Sequence, residues 1–310
     1  MELAPIVLFV YNRPWHTEQT LNALASNRLA NESTLYIYAD GQKDDATAEE
    51  LANINNTRNL IKGKKYCKEV FIIESEFNLG LANAIIKGVT EIVNKYGKII
   101  VLEDDLVTHP FFLTYMNRYL EIYANSESVI SLHGFMYPIK KKISSPFFLK
   151  GADCWGWATW KRGWDLFEHN GKLLLDRIVQ KNAEKEFNFN NSYNYMSLLE
   201  AQIAGKVNSW AVRWYASAFL LNKLTLYPPI SLVQNIGFDG SGTHKDYIDS
   251  QLRVAINAEE FEIKVIGTSE NKNIKKRIEK YFRGNYNFLR SVKELLLSFY
   301  RNIKPGAANL

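Results

Sequence analysis

Four short apolar runs, at residues 5–10, 35–39, 70–74 and 99–102, alternate with segments of helical spacing, and this constrains the fold more than any other feature. The intervening segments are 16–26, with Leu21 and Leu24 on one face; the polar stretch 47–61; and 81–95, where Ala82, Ile85, Ile86, Val89, Ile92 and Val93 recur at helical intervals. Repeated strand–helix alternation predicts a mostly parallel sheet with right-handed crossovers and helices on both faces. A further helix opens at Pro110, a residue favoured in a first turn. The pattern then changes. Residues 129–170 read as strand and loop, 190–223 as helix and 224–233 as strand, followed by the glycine-rich 237–243. With 310 residues and 46% apolar content, the chain can bury one large core or two unequal domains. We expect one α/β domain over 1–265, with halves at 1–107 and 108–265, and a basic helical tail over 266–310.

Two cysteines, Cys67 and Cys154, make neither a disulfide framework nor a zinc spacing, which suits a reducing compartment. The first fifteen residues have no basic n-region and only a short apolar run, and no segment approaches 18 uninterrupted apolar residues. The expected location is therefore cytoplasmic. Charge is unevenly spread: residues 269–304 hold ten Lys/Arg against three Glu, +7 in a chain of net +5, leaving the rest near −2.

The ends of the four runs carry the chemistry. Residues 98–105, KIIVLEDD, lead a buried strand into Glu103, Asp104 and Asp105. Open α/β sheets bind ligands at that edge. Three adjacent carboxylates repel one another unless a cation or hydrogen-bonding ligand compensates them, and a hard divalent ion carrying a diphosphate would do so. A solvated acidic corner is the plain alternative. Tyr11, Asn12 and Arg13 follow the first run and offer a ring for a base, amide donors and acceptors, and a cation for phosphate. Asp40 can accept from a base or ribose, or simply make an Asp-Gly turn. Asn78 and Gly80 lie in a second turn into a helix, where Asn78 is a candidate N-cap. Neither GxGxxG after the first strand nor GxxxxGK[ST] is present, which argues against dehydrogenase and P-loop chemistry.

In order, strand–Tyr-Asn-Arg-Pro, strand–Asp-Gly, FNLGLANAIIKG and strand–Glu-Asp-Asp resemble the nucleotide-sugar half of GT-A glycosyltransferases. FNLGLANAIIKG looks like a family 2 segment. Glu103-Asp104-Asp105, Gly156-Trp157-Ala158-Thr159-Trp160 and Tyr227-Pro228-Pro229-Ile230-Ser231 with Asn235-Ile236-Gly237 resemble the N-acetylglucosaminyltransferase I type. The likeness spans about residues 5–245 and implies a Rossmann-like GT-A fold with an acceptor-side subregion. It also implies transfer from a nucleotide sugar, UDP-linked, to a glycan or lipid-linked glycan in surface polysaccharide or lipopolysaccharide assembly. By resemblance, Asp105 binds Mn²⁺ or Mg²⁺, Glu103 and Asp104 serve ribose or the metal's water shell, and His244 is a second metal ligand. Without the resemblance, His244 reads as an exposed loop histidine.

One position departs from that pattern. The aspartate expected about 18 residues before Pro228 falls at Ser209-Trp210-Ala211, where no carboxylate stands. An inverting enzyme needs a base there. Asp153 is the substitute chosen, with Glu200 as another; retention of configuration and an inert nucleotide-sugar-binding protein are the remaining options. A sugar-nucleotide pyrophosphorylase fits less well, because the amino-terminal loop lacks a long glycine-rich phosphate signature. Six of seven tryptophans follow the acidic triplet. They read as core or as a sugar platform, with Trp155 or Trp157 expected to face the acceptor. In the tail, Ile274, Ile278, Phe282, Leu289, Val292, Leu295, Leu296 and Phe299 recur among Lys and Arg. Residues 269–304 could lie on an anionic membrane surface or pack on the domain. No nucleic-acid-reading module is recognisable, so no nucleic-acid partner is expected.

Overall fold

The computed structural model describes residues 2–239, 252, 254–256 and 259–284. β1 (Ile6–Val10) is buried along its length and runs through Tyr11-Asn12-Arg13 into α1 (Pro14–Ala25), with proline in the first turn. β2 (Thr34–Ala39) leads to α2 (Ala48–Gly63), which a reciprocal Thr47–Glu50 capping box starts. β3 (Glu69–Glu74) precedes α3 (Leu81–Tyr96). α3 ends at Gly97, φ 74°, whose N–H returns to the Val93 carbonyl at 2.8 Å. β4 (Lys98–Glu103), β5 (Leu106–Thr108) and α4 (Phe112–Ile122) complete the first half. The second half contains β6 (Val129–His133), β7 (Phe147–Lys150), β8 (Trp157–Trp160), α5 (Lys161–Trp164), α6 (Gly171–Gln180), α7 (Glu184–Phe187), α8 (Tyr195–Ile203), α9 (Ala211–Leu220), β9 (Leu224–Tyr227) and β10 (Val233–Asn235).

Eight strands form one sheet in the order β3-β2-β1-β4-β8-β6-β9-β7; β5 and β10 form a small antiparallel pair. The pairings make β7 and β8 antiparallel to the other six strands, which share one direction. The chain is thus α/β, a large mostly parallel sheet flanked by helices, consistent with the expected Rossmann-like GT-A architecture. Strand pleating divides the core. Ile6, Leu8, Leu35, Ile37, Ile100 and Leu102 pack with α1 and α4, while Val7, Phe9, Tyr36, Tyr38, Ile99 and Val101 pack with α3 and α9. A third cluster gathers α6 to α9 with β7 and β9.

Three expectations change in detail. The fourth helix begins at Phe112, not Pro110. The single strand expected over 224–233 is two strands in different sheets, because Pro228 and Pro229 have no N–H to continue the ladder. Residues 272–284 of the tail are helical, with Ile274, Ile278 and Phe282 buried in the third cluster. Glu270 meets Lys275 at 3.0 Å, and Asn190 Nδ2 donates to Glu279 Oε1 at 2.6 Å. Over these residues the apolar face is occupied by the protein's own core rather than offered to a membrane; residues 285–304 of the expected membrane segment lie outside the described residues. No helix among the described residues is long and apolar enough to cross a membrane.

Candidate functional site

Because β1 to β4 are parallel, Tyr11–Arg13, Asp40, the 75–80 turn and Glu103–Asp105 all emerge at one carboxyl edge. The acidic triplet is the corner between β4 and β5. Arg13, at the N-cap of α1, reaches into it: Nη1 donates to Asp105 Oδ2 at 2.9 Å and lies 3.5 Å from Asp104 Oδ1. Thr20 Oγ1 donates to the Asp104 carbonyl at 2.8 Å, fixing the corner against α1. Burial pushes the Glu103 carboxyl up to about 8 and that of Asp104 to about 7, with neighbouring carboxylates adding to the shift and Arg13 opposing it. Among the described side chains, Arg13 is the cation that meets two of these carboxylates.

The small sheet lays a loop over the corner. Asn235 pairs with Leu106, and the Ile236 N–H donates to the Asp105 carbonyl at 2.9 Å. Gly237 then passes so close that a Cβ there would overlap Asp105 Oδ2 and lie 3.1 Å from Arg13 Nη2. Asp239 follows, its Oδ2 2.9 Å from His16 Nε2 and its Oδ1 3.8 Å from Arg13 Nη2. Burial and Arg13 hold the His16 imidazole below its usual range, against Asp239 and Asp105. His16 and Asp239 are absent from the residues singled out in the sequence, and Gly237 appears there as part of the Asn235-Ile236-Gly237 turn. His16 reads there as an ordinary helix residue, and only the glycine turn after the late strand hinted at the loop.

Asp40 makes the Asp-Gly turn contact that the sequence offered as one of its two readings. Its Oδ1 accepts from the Gly41 and Leu79 N–H groups at 2.9 and 2.8 Å, and its Oδ2 from the Gly80 N–H at 3.0 Å. The carboxylate thus ties the β2 turn to the turn before α3. Asn78 Nδ2 donates to the Gly41 carbonyl at 2.9 Å, and the N-cap of α3 is Gly80, φ 73°, instead of Asn78. Arg58 Nη2 donates to the Ser75 and Asp40 carbonyls at 2.7 and 3.3 Å, bracing the same junction. Burial, with Glu50 nearby, raises the Tyr11 hydroxyl above its usual range; Asn12 is partly exposed beside it.

Across the corner lies the 153–155 turn. Burial raises the Cys154 thiol well above the ordinary range, with Asp153, Glu103 and Asp105 all contributing. Asp153 Oδ2 accepts from the Tyr137 and Tyr227 hydroxyls at 2.9 and 3.4 Å, while Oδ1 accepts from the Cys154 N–H at 2.9 Å. The Trp155 N–H donates to His133 Nε2 at 3.1 Å, and burial favours the neutral imidazole. Trp155 is partly exposed, edge-on to Phe135 at 4.7 Å and to Phe238 of the covering loop at 5.5 Å. Trp157 is not an acceptor platform: it is 1% exposed and packs on Trp210, Trp164 and Trp214 at 5.3–5.9 Å. β8 is buried along its length, and Trp157 joins the cluster that includes α3 and α9.

Glu200 is exposed on α8, which packs on α6 and α9. Residues 209–211 carry no carboxylate, but the adjacent Asn208 has its Nδ2 3.3 Å from where a Gly80 Cβ would stand. That segment therefore does border the carboxyl edge. His244 lies outside the described residues. Among the described residues, no three His, Cys, Asp or Glu side chains converge to cage a metal. The donor set at Asp105 fits a hard divalent ion held by few carboxylates, water and ligand oxygens.

No protein-family model and no curated protein matches the chain. Among solved structures, residues 1–349 of S. aureus TarS align at 13% identity over 49% of this chain and 42% of that one, TM-score 0.32. A second S. aureus TarS structure aligns at 14% identity over 49% and 25%, TM-score 0.31. UDP-glucose pyrophosphorylase complexed with UDP-glucose aligns at 11% identity over 53% and 79%, TM-score 0.30. The matched region is thus less than half of either TarS chain.

Proposed function

We propose that this chain is a metal-dependent glycosyltransferase that uses a nucleotide sugar, UDP-linked, and a glycan or lipid-linked glycan acceptor. The supporting observation is the Glu103-Asp104-Asp105 corner, joined by Arg13 and covered by Gly237 at the carboxyl edge of a parallel sheet. Asp105 would hold Mn²⁺ or Mg²⁺, with His244 as the second protein ligand and Glu103 and Asp104 serving its water shell or the ribose. When bound, that ion would neutralise charge on the departing diphosphate. Arg13 supplies a second positive charge to the diphosphate. Tyr11, Asn12 and the turns joined by Asp40, Asn78 and Gly80 frame the nucleoside. On the other side, Trp155 gives the acceptor an aromatic edge, and Asp153, oriented by Tyr137 and Tyr227, takes its hydroxyl proton. Cytoplasmic polysaccharide or lipopolysaccharide assembly at an inner membrane face belongs to this same reading.

The test is a panel of sugar nucleotides with Mn²⁺ and glycan acceptors, read by mass spectrometry for a glycosylated product. Product formation supports transfer. An inert nucleotide-sugar-binding protein is the second reading, favoured by the missing carboxylate at 209–211; donor binding with no product from any acceptor would establish it. Sugar-nucleotide formation from a nucleoside triphosphate and a sugar 1-phosphate would instead favour a pyrophosphorylase.

Gly237→Ala gives a local check. Its Cβ must push Asp105 or the loop aside. We expect donor affinity to fall about tenfold, roughly 1.4 kcal/mol, with the melting temperature little changed. Calorimetric titration with unaltered affinity would show that the loop does not shape the site.

A further inference from the structure

Among the described residues, β3 closes one edge of the eight-stranded sheet and pairs with β2 alone. Soluble proteins ordinarily blunt such an edge with a proline, a bulge, an inward charge or a covering element. Between its ends β3 has no proline or charge: Val70-Phe71-Ile72-Ile73 is apolar, and its ladder to β2 runs without a register shift from Glu69 to Glu74. Val70 and Ile72 pack into the core beside α1. Phe71 points to the other face, is 47% exposed, and stacks on Tyr36 at 5.0 Å. Charge is confined to Lys68 and Glu69 at the start and Glu74 at the end.

We propose that β3 pairs antiparallel with β3 of a second copy of this chain, about a two-fold axis through Phe71, making one sheet continuous across a dimer. Backbone direction and charge both suit this register. The Glu69 and Ser75 N–H groups donate to β2, so by alternation the backbone groups of Val70 and Ile72 face outward, and a two-fold through Phe71 sets them opposite one another. Centred on Phe71, Lys68 stands opposite the partner's Glu74, and the symmetry repeats the pair. Centred between Phe71 and Ile72, each outward-facing residue would oppose one already bonded to β2, and no antiparallel ladder could form. Glu74 Oε1 already meets Lys62 at 2.6 Å, which leaves Oε2 for the partner's Lys68. The two Phe71 rings meet at the axis, covering the aromatic surface now exposed. Because the axis reverses β3, the two carboxyl edges point in opposite directions and neither donor site is blocked. This inference therefore stands apart from the proposed function.

Sedimentation velocity over a concentration series, on the full chain, tests it. The wild type is expected to dimerise, Phe71→Lys to raise the dimer dissociation constant at least about tenfold, and Lys68→Glu to do likewise. The Lys68→Glu/Glu74→Lys double variant is expected to recover the wild-type value. Phe71 and Lys68 lie outside the core, and circular dichroism melts confirm that each variant folds. A wild type that stays monomeric at about 100 μM overturns the dimer, that being weaker than a specific pairing of this kind supports. A dimer indifferent to Phe71→Lys overturns the β3 interface. A dimer weakened by Lys68→Glu but not restored in the double variant overturns the Phe71-centred register.

Discussion

Asp105→Asn is expected to lower metal-dependent turnover of the nucleotide sugar by about 10²- to 10³-fold, the usual cost of removing one group that stabilises developing charge. Asn keeps the volume but loses the charge that would hold the cation. Arg13 retains neighbours in this variant, Asp104 at 3.5 Å and Asp239 at 3.8 Å, so the corner should keep its shape. The rate of nucleoside diphosphate release, measured against Mn²⁺ concentration, checks the expectation. An unchanged metal titration would leave Asp105 as a structural partner of Arg13 and no more.

Trp157→Ala is expected to cost about 3–5 kcal/mol of stability, the range for deleting a large buried aromatic. Domains of this kind have roughly 5–15 kcal/mol in total, so the variant should unfold at a much lower urea concentration. Trp157 lies on a central strand with Trp210, Trp164 and Trp214 around it, and none of these can collapse into the void without disturbing α5 or α9. Trp15 supplies the contrast. It is 56% exposed beside His16, and Trp15→Ala should change stability by no more than about 0.5 kcal/mol. Urea unfolding followed by fluorescence separates the two. Equal costs would mean that Trp157 is not core, and would return it to the acceptor side.

The first half of the fold was legible because β1, β2 and β4 are continuous apolar runs between strong turn and cap signals, and α3 has a well-separated apolar face. The sheet's other half was not. β8 enters antiparallel between β4 and β6, and a four-residue strand carries no mark of its partners. In the site, the acidic triplet was visible as a run of like charges, and Arg13 as a cation after a strand. Their 2.9 Å contact was not, since it joins residues 92 positions apart. The same reason hid Gly237 against Asp105 and Asp239 against His16. Asp40 was seen, but its role in fixing the 79–80 backbone needs the register of β2 with β3, which composition does not encode. Trp157 and Trp155, two residues apart, looked alike in sequence; the Gly156 turn, φ 60°, leaves Trp155 before β8 and partly exposed, while Trp157 enters the buried strand.

The central claim is that a nucleotide sugar and a divalent ion bind together at this carboxyl edge. Amide hydrogen exchange on the full chain, with UDP-sugars in the presence of Mn²⁺ or of a chelator, tests it most directly. The account predicts slowed exchange in residues 11–17, 76–81, 103–108 and 233–239, only when donor and Mn²⁺ are both present. Protection confined to other segments, or the same protection with the metal removed, would contradict it.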